Sequence, residues 1–438
     1  MPEHGPQDSP SLRKRHIAAV MIGGVVEYYD FVVFTFFAIQ IGRAYFPASS
    51  EFASLMLSLA TFGIGFAMRP LGGMILGAYA DRAGRRAAMT LTLVLMGVSI
   101  VALAVIPPYA AIGIAAPILA VIARLVQGFA LGGEIAPAIA CILEGSPARR
   151  RGLFVSFFGL FSTAGALLGA LVGLVLSRIL SPEMLEADGW RIAFLLGALT
   201  LPLGVWLRRS LPETLPEAAA AAPRQGGWSI LRQHRGAILP FFVIMAVGNI
   251  GFYIFQYATT YAQNVLHMPP SVGFASTVSL NAVGIVATLL GGWLADAVGR
   301  KPVFVGSRIA VAVAAVPVFL WIVTDRTPTA LIVGVTLLAA LSQLGTGANW
   351  IWFAELLPAE VRGRAYGTTY GLAVALFGGT AQMVVAWLIK TTGSDLAPAW
   401  YLAAAYLLAT GAALVLPESA PARLARASAA AAPNEVPA

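Results

Sequence analysis

The chain has 438 residues, of which 58% are hydrophobic and 11% charged, with a formal net charge of +8. A soluble domain carries about 25% charged residues, so this composition excludes a water-soluble globular protein, and it lacks the polar character of a disordered chain. The single cysteine excludes an intramolecular disulfide, and the four histidines form no cluster with metal-ligand spacing. We therefore expect an integral membrane protein without a metal or other cofactor.

Twelve segments are long and apolar enough to cross a bilayer, which takes about 20 residues of helix. In the first half they are 17–45, 52–80, 88–106, 111–143, 152–178 and 190–209. In the second half they are 237–264, 271–298, 302–323, 329–355, 363–390 and 397–416. The predicted fold class is all-α integral membrane.

The polar stretches between these segments divide the chain into five regions. They are an N-terminal tail (1–16), a six-helix bundle (17–209), a linker (210–236), a second six-helix bundle (237–416) and a disordered tail (417–438). Most of the 28 Lys and Arg residues lie in the tails and in loops on one side. The positive-inside rule therefore places both termini and the linker in the cytosol. Cations scattered over short loops do not form a face for nucleic acid.

Three short motifs occur twice, in the same order in each half. The first copies are Gly77-x-x-x-Asp81-x-x-Gly84-Arg85-Arg86, Glu144-x-x-Pro147-x-x-x-Arg151-Gly152 and Leu211-Pro212-Glu213-Thr214. The second copies are Gly292-x-x-x-Asp296-x-x-Gly299-Arg300-Lys301, Glu355-x-x-Pro358-x-x-x-Arg362-Gly363 and Leu416-Pro417-Glu418-Ser419, at offsets of 215, 211 and 205 residues. Such ordered matches indicate two pseudo-symmetric halves, an architecture common among secondary transporters.

The repeated charges predict a gate at the cytosolic helix ends. We interpret Asp81 as part of a charge latch between helices, Gly77 as a point of close helix approach, and Glu144 and Glu355 as partners of the basic loops. The alternative is that the loops only fix orientation. The predicted gating residues are Gly77, Asp81, Arg82, Arg85, Arg86, Glu144, Arg151, Asp296, Arg300, Glu355 and Arg362.

The stretches GAYADRAGRR, RLVQGFALGGE and LPET resemble signatures of the major facilitator superfamily. The stretches GGVVEYYDF and RPLGG, followed by RLVQGFALGGE, resemble its metabolite–proton symporter family, and the chain around the second helix resembles the citrate/tricarballylate branch. The resemblance implies alternating access, a bacterial inner membrane, and transport of a small solute together with protons.

Charged residues within the predicted spans are functional candidates, because an ionisable group in the bilayer is costly unless paired or hydrated. The first half contains Glu27, Asp30, Arg69, Arg124 and Glu134. A rise of about 1.5 Å per residue places Asp30 and Arg124 near the midplane. We expect them to pair, with Asp30, Glu27 and Glu134 coupling protons and a substrate carboxylate competing for Arg124. A permanent structural ion pair is the alternative.

Arg308, near the start of the ninth predicted helix, is expected to lie at its cytosolic end. Neutral polar residues interrupt the other apolar helices of the second half, and we expect them to line a central cavity. Each could instead form an interhelical hydrogen bond. The predicted substrate-binding residues are Arg124, Arg69, Tyr28, Gln127, Tyr253, Gln256, Asn249, Asn281, Gln343 and Asn349.

The sequence thus favours a proton-coupled importer of a small organic acid with two or three carboxylates, such as citrate. The alternatives are a carrier of a zwitterion such as a betaine, or a proton-driven exporter. A sensor would need a larger extramembrane domain, and an ion channel a symmetric ring of charge. An enzyme is disfavoured because the sequence shows no nucleophile–base pair and no phosphate loop. The expected partners are an organic anion, protons and lipid, with no obligatory protein partner.

Overall fold

The regular elements in the described part of the chain are all helices. The computed structural model describes residues 14–132, 151–209, 232–357, 359–421 and 423. Within these residues, eight helices are long and apolar enough to span a membrane, or nine when one bent pair is counted as a span. Each of the twelve predicted segments contains one or two helices.

The helices of the first half are α1 (Lys14–Phe36), α2 (Ala38–Tyr45), α3 (Glu51–Ala67), α4 (Arg69–Ala83), α5 (Arg85–Val105), α6 (Ala115–Leu131), α7 (Arg151–Ile179) and α8 (Trp190–Arg209). Short helical turns cover Tyr109–Ile112 and Pro182–Met184, and a π-helical turn covers Leu185–Gly189. The predicted linker falls almost wholly on residues 210–231, which lie outside the described part.

The helices of the second half are α9 (Arg235–Gln256), α10 (Ala258–Asn264), α11 (Pro270–Val298), α12 (Arg300–Asp325), α13 (Pro328–Leu356), α14 (Ala359–Ala373), α15 (Ala381–Thr392) and α16 (Ala397–Leu414). A π-helical turn, Val374–Gly378, follows α14. We call the end of the bundle where α4 and α11 finish the basic end, after Arg82, Arg300 and Lys301.

The first and seventh spans are broken, where the sequence predicted continuous helices. The chain bends by 66° between α1 and α2, just after Thr35, whose hydroxyl donates to the Val32 carbonyl at 2.8 Å. Between α9 and α10, the Gln382 side chain donates to the Tyr253 carbonyl at 3.1 Å. Side-chain hydrogen bonds to backbone carbonyls accompany helix bends, and the Tyr253 carbonyl also keeps its helical bond from the Tyr257 N–H at 3.0 Å.

Helix α6 buries small and polar residues and exposes apolar ones, the reverse of a helix in a soluble protein. Its buried face carries Ala120, Arg124 and Gly128, while Ile118 and Ile122 are half exposed. Lipid accepts apolar side chains on the outside, so small and polar residues occupy the helix contacts.

Glycines permit backbone contact between α6 and the two helices of the second span. A Cβ on Gly128 would overlap the Gly65 carbonyl oxygen, and one on Gly132 would overlap the Arg69 carbonyl oxygen. At Gly77, where the sequence predicted such a close approach, a Cβ meets no atom of the described residues within 4 Å. Residues 133–150, which follow α6, lie outside the described part, so this call stays a prediction.

Candidate functional site

A central cavity lies between the two halves and has a volume of about 880 Å³ including its opening. Most of its wall comes from α9, α11 and α13, with Tyr28 of α1, Ser162 of α7 and Tyr370 of α14. Seven of the ten predicted substrate-binding residues line it: Tyr28, Asn249, Tyr253, Gln256, Asn281, Gln343 and Asn349.

Amide side chains form the polar wall of this cavity. Gln256 and Asn281 exchange two hydrogen bonds of 3.1 Å. Gln343 donates to the Thr163 hydroxyl at 3.1 Å and so joins the second half to the first. The buried Oδ1 of Asn349 has no hydrogen-bond partner among the described residues, which leaves it as an acceptor for a ligand.

Sequence reasoning missed four polar residues of the wall: Ser162, Ser342, Thr346 and Tyr370. Two of them could have been predicted from the sequence. Ser342 and Thr346 precede Asn349 at helical spacing and therefore share a face of α13 with it. No sequence pattern indicated Tyr370. Its hydroxyl lies at the site because the two halves pack so that it meets the Tyr28 hydroxyl, at 3.3 Å.

Two buried arginines lie beside the cavity on the first half. Arg69 is 4% exposed and Arg124 is fully buried. Both guanidinium carbons lie over the Phe31 ring, at 4.7 and 4.6 Å from its centroid. Arg124 also lies 4.5 Å from the centroid of Phe34, and Arg69 lies 4.4 Å from that of Phe66. The two cations are thus held in one aromatic enclosure by cation–π contacts.

The arginines have no carboxylate partner within 4 Å among the described residues. Arg124 donates to the Gln127 side chain, but its Nε and Nη2 and the Nε of Arg69 have no acceptor there. Tyr253 connects this enclosure to the cavity, since it lines the cavity and its ring packs 5.3 Å from that of Phe66. Two buried cations without a carboxylate partner in the described part of the chain suit an anionic ligand.

The predicted pair between Asp30 and Arg124 is not formed, which corrects the expectation from their depths. Asp30 instead faces α8, where a Cβ on Gly197 would overlap its Oδ1. The neighbouring Tyr29 hydroxyl donates to the Ala193 carbonyl of α8 at 2.7 Å. The rotation of α1 directs the carboxyl toward α8 and away from Arg124.

The other predicted proton-coupling residues are placed only in part. Glu27 is buried one turn before Asp30 on α1. Glu134 lies outside the described residues. The Asp30 carboxyl keeps one buried oxygen without a hydrogen-bond partner among the described residues.

The three repeated motifs of the second half meet at the basic end. Arg300 of the first motif is fully buried and pairs with Asp296 at 2.5 Å and with Glu355 of the second motif at 3.2 Å. The Ser419 hydroxyl of the third motif donates to Glu355 at 2.6 Å. Glu355 is therefore a partner of the basic loop, as predicted.

Glu418 of the third motif closes the network by capping α12. Its carboxylate accepts from the backbone N–H groups of Arg300 and Lys301, at 2.9 and 3.2 Å. Gly299 turns the chain into the helix with a φ of 124°, a conformation that favours glycine. The anion at the helix N-terminus offsets unpaired N–H groups and the helix dipole. Residues 417–420 thus belong to the folded bundle, where the sequence assigned them to the tail.

The first-half copies of this network are described only in part. Arg82 is exposed at the end of α4. Glu144 lies outside the described residues, and so do the side chains of Asp81, Arg85, Arg86, Arg151 and Arg362. Gly84 does repeat the conformation of its counterpart, with a φ of 95°.

Known proteins resemble this chain over nearly its whole length. It is 32% identical over 419 residues to the citrate-proton symporter of Salmonella typhi, covering 95% of this chain and 96% of the relative. It is 31% identical over 409 residues to the glycine betaine/proline/ectoine/pipecolic acid transporter OusA of Dickeya dadantii (strain 3937), covering 90% and 81%.

A solved structure shows the same fold. The partially occluded inward-open xylose transporter XylE from E. coli superposes with a TM-score of 0.74 at 19% identity, covering 92% of this chain and 98% of that one. The sequence profile of the Major Facilitator Superfamily matches residues 20–381. The chain therefore belongs to the Major Facilitator Superfamily, a family of membrane transporters and not of enzymes.

Proposed function

We propose that this protein is a proton-coupled importer of a small organic acid with two or three carboxylates, such as citrate, and works by alternating access. The observation that carries the proposal is the buried pair Arg69 and Arg124, which lies beside the central cavity without a carboxylate partner among the described residues. A guanidinium group stays charged when buried and binds carboxylates in bidentate fashion. The similarity to citrate-proton symporters supports the same substrate class.

The substrate reaches the arginines past Tyr253. This side chain lines the cavity and packs on the aromatic rings that hold the two guanidinium groups. A change in its rotamer would open the enclosure to a carboxylate in the cavity. The amides of Gln256, Asn281 and Gln343 would then bind the neutral part of the substrate.

Protons are carried in this proposal by Asp30, with Glu27 and Glu134 as further candidates. Asp30 is a buried carboxyl near the membrane centre on the helix that also contributes Phe31 to the arginine enclosure. It lies against α8, so its protonation would act on the packing of α1 with α8 and, through α1, on the site. Protonation is thus coupled to binding through helix packing, and not through competition between Asp30 and a substrate carboxylate for Arg124.

The basic-end network acts as the inward gate. Arg300, Glu355 and Glu418 join α12, α13 and the chain after α16 within the second half, and in this proposal these contacts loosen when the cavity opens at that end. In this proposal the basic end and both termini face the cytosol, as the positive-inside rule predicts, and the protein lies in a bacterial inner membrane, as the family resemblance implies.

A zwitterion such as a betaine is the second candidate substrate. Seven aromatic residues line the cavity, and aromatic faces recognise quaternary ammonium groups. They are Tyr28, Phe161, Phe252, Tyr253, Phe255, Trp350 and Tyr370. The similarity to a betaine and proline transporter points the same way.

Uptake of radiolabelled citrate into proteoliposomes, with and without an inward proton gradient, tests the proposal. We expect gradient-driven accumulation that unlabelled tricarballylate inhibits and glycine betaine does not. Arg124→Gln should lose at least about tenfold in uptake, while Arg178→Gln, at an exposed arginine at the end of α7, should retain it. Uptake of betaine without uptake of any acid would refute the organic-acid reading and favour the second candidate.

A further inference from the structure

A third buried arginine lies in the second half, behind the wall of the cavity. Arg308 on α12 is 2% exposed, where the sequence placed it at the cytosolic helix end. It lies eight residues into its helix from Arg300, or about 12 Å below the basic end. It has no carboxylate within 4 Å among the described residues, and its guanidinium packs over the rings of Phe304 and Tyr406 at 4.6 and 4.8 Å.

The hydrogen bonds of Arg308 go to two side chains that line the cavity. Its Nη1 donates to the Ser342 hydroxyl oxygen at 3.2 Å and to the Ser342 carbonyl at 3.3 Å. Its Nη2 donates to the Thr346 hydroxyl oxygen at 3.4 Å. Ser342 and Thr346 lie one turn apart on α13, and both face the cavity.

This arrangement sets the direction of the two hydroxyl groups. A guanidinium only donates, so both hydroxyl oxygens accept from Arg308 and their hydrogens point elsewhere. Each hydroxyl also has a neighbour within the protein: Ser342 shares a hydrogen bond with the Tyr406 hydroxyl, in which either group can donate, and Thr346 donates to the Ser342 carbonyl at 3.2 Å. A hydroxyl rotates readily, so an anion in the cavity can take either hydrogen.

We infer that Arg308, Ser342 and Thr346 form a second anion subsite, which binds another carboxylate of the substrate whose first carboxylate binds at Arg69 and Arg124. The inference rests on the proposed function, since it concerns how the same substrate is held. Donors oriented in advance by a buried cation stabilise an anion strongly, because the cation acts through a low dielectric and little reorganisation is needed.

The subsite gives a reason for selectivity between acids. The arginine pair belongs to the first half, and the Arg308 subsite belongs to the second. A substrate with two or more carboxylates can bridge the halves, whereas a monocarboxylate can satisfy only one of them. Selectivity for multiple carboxylates would then follow from the separation of the two cationic sites.

A structural role alone is the competing explanation, because Arg308 also lies in the contact between α12 and α13. The neighbouring Ser307 hydroxyl donates to the Leu341 carbonyl at 2.7 Å and accepts from the Gly345 N–H at 3.1 Å. A test must therefore compare substrates and not only activities. Thr346→Val removes one cavity hydroxyl with little change in volume, and Thr336→Val is its matched control. Thr336 is on the same helix and donates to Ser279 at 2.9 Å.

The experiment measures how tricarballylate and butyrate, with three carboxylates and one, compete with labelled citrate for binding to the purified full chain. Wild type, Arg308→Gln, Arg308→Lys, Thr346→Val and Thr336→Val are compared after size exclusion confirms folding. We expect Arg308→Gln and Thr346→Val to weaken tricarballylate about tenfold or more and butyrate less than about twofold. Arg308→Lys should be intermediate, and Thr336→Val should match wild type.

Equal losses for both acids in folded Arg308→Gln and Thr346→Val would overturn the subsite and leave the proposed function standing. A Thr346→Val variant that matches wild type for both acids would also overturn it. Wild type that binds neither acid would refute the proposed function itself, and the inference with it.

Discussion

The two halves touch backbone to backbone where α3 crosses the chain before α15. A Cβ built on Gly63 would lie 2.7 Å from the Gly379 carbonyl oxygen, and a Cβ on Gly379 would lie 2.7 Å from the Gly63 carbonyl oxygen. Real Cβ atoms essentially never approach a heavy atom within 3.0 Å. We therefore predict that Gly63→Ala pushes the halves apart at this crossing and favours the conformation in which they separate there.

The size of the effect follows from the geometry. The halves must move by at least 0.3 Å, from 2.7 to 3.0 Å, and the obstacle is backbone, so no rotamer change relieves it. Overpacking costs about 1–3 kcal/mol. The helix propensity gained on replacing Gly by Ala does not enter this difference, because it applies to both folded states alike. At the lower end, a cost of about 1 kcal/mol for the touching state would raise the population of the separated state about fivefold.

Pulsed electron paramagnetic resonance in lipid nanodiscs measures this separation. Spin labels are attached to cysteines replacing Glu51 and Lys390 in a Cys141→Ser background. These positions face each other across the halves, since Glu51 begins α3 and the Lys390 ammonium lies 5.7 Å from the ring of the adjacent Phe52. We expect Gly63→Ala to enlarge the long-distance population.

Gly371→Ala is the matched control, because a Cβ at Gly371 meets no atom of the described residues within 4 Å. It should leave the distance distribution unchanged. If Gly63→Ala gives the wild-type distribution in folded protein, the crossing does not limit separation of the halves and the reasoning fails.

Two further predictions concern carboxylates. Asp30→Asn should reduce gradient-driven citrate accumulation about tenfold or more, yet retain exchange of labelled for unlabelled citrate, because the variant keeps the site but cannot carry the proton. Glu418→Gln should lower the free energy of unfolding by about 1–2 kcal/mol, read as a lower melting temperature in detergent, because it removes the anion that caps α12.

Each of these has a control at an exposed carboxylate. Asp325→Asn at the end of α12 should leave proton coupling intact, and Glu183→Gln should leave the melting temperature unchanged. Full gradient-driven accumulation by Asp30→Asn would remove Asp30 from the coupling proposal. A Glu418→Gln variant as stable as wild type would show that the cap contributes nothing measurable.

Much of the fold could be read from the chain. The apolar segments predicted the positions of the helices, because a bilayer demands about 20 apolar residues for each crossing. Each of the twelve segments contains one or two of the described helices. The duplicated motifs gave the two halves. The breaks at Phe37 and Tyr257 were not read from the sequence. At the second break the Gln382 side chain, from a distant helix, donates to the Tyr253 carbonyl, a contact that only the packing of the helices decides.

The candidate site was predicted less evenly. Polar residues that interrupt apolar helices indicated the cavity wall, since a membrane helix carries amides only where they face a partner or a cavity. The predicted ion pair between Asp30 and Arg124 is not formed, and Arg308 is buried behind the cavity wall where the sequence predicted it at the cytosolic helix end. Sequence spacing gives depth along a helix, but it does not give which neighbour a side chain meets.

The chain's composition and repeats thus determine that this is a duplicated helical membrane protein with charge concentrated at one end and buried charge within its spans, because lipid selects residue types directly. Only the tertiary structure decides that Arg69 and Arg124 share one aromatic enclosure, that Asp30 faces α8, and that Arg308 stands behind the cavity wall. Those relations depend on how each helix is rotated and bent against its neighbours, and packing between distant segments sets that rotation.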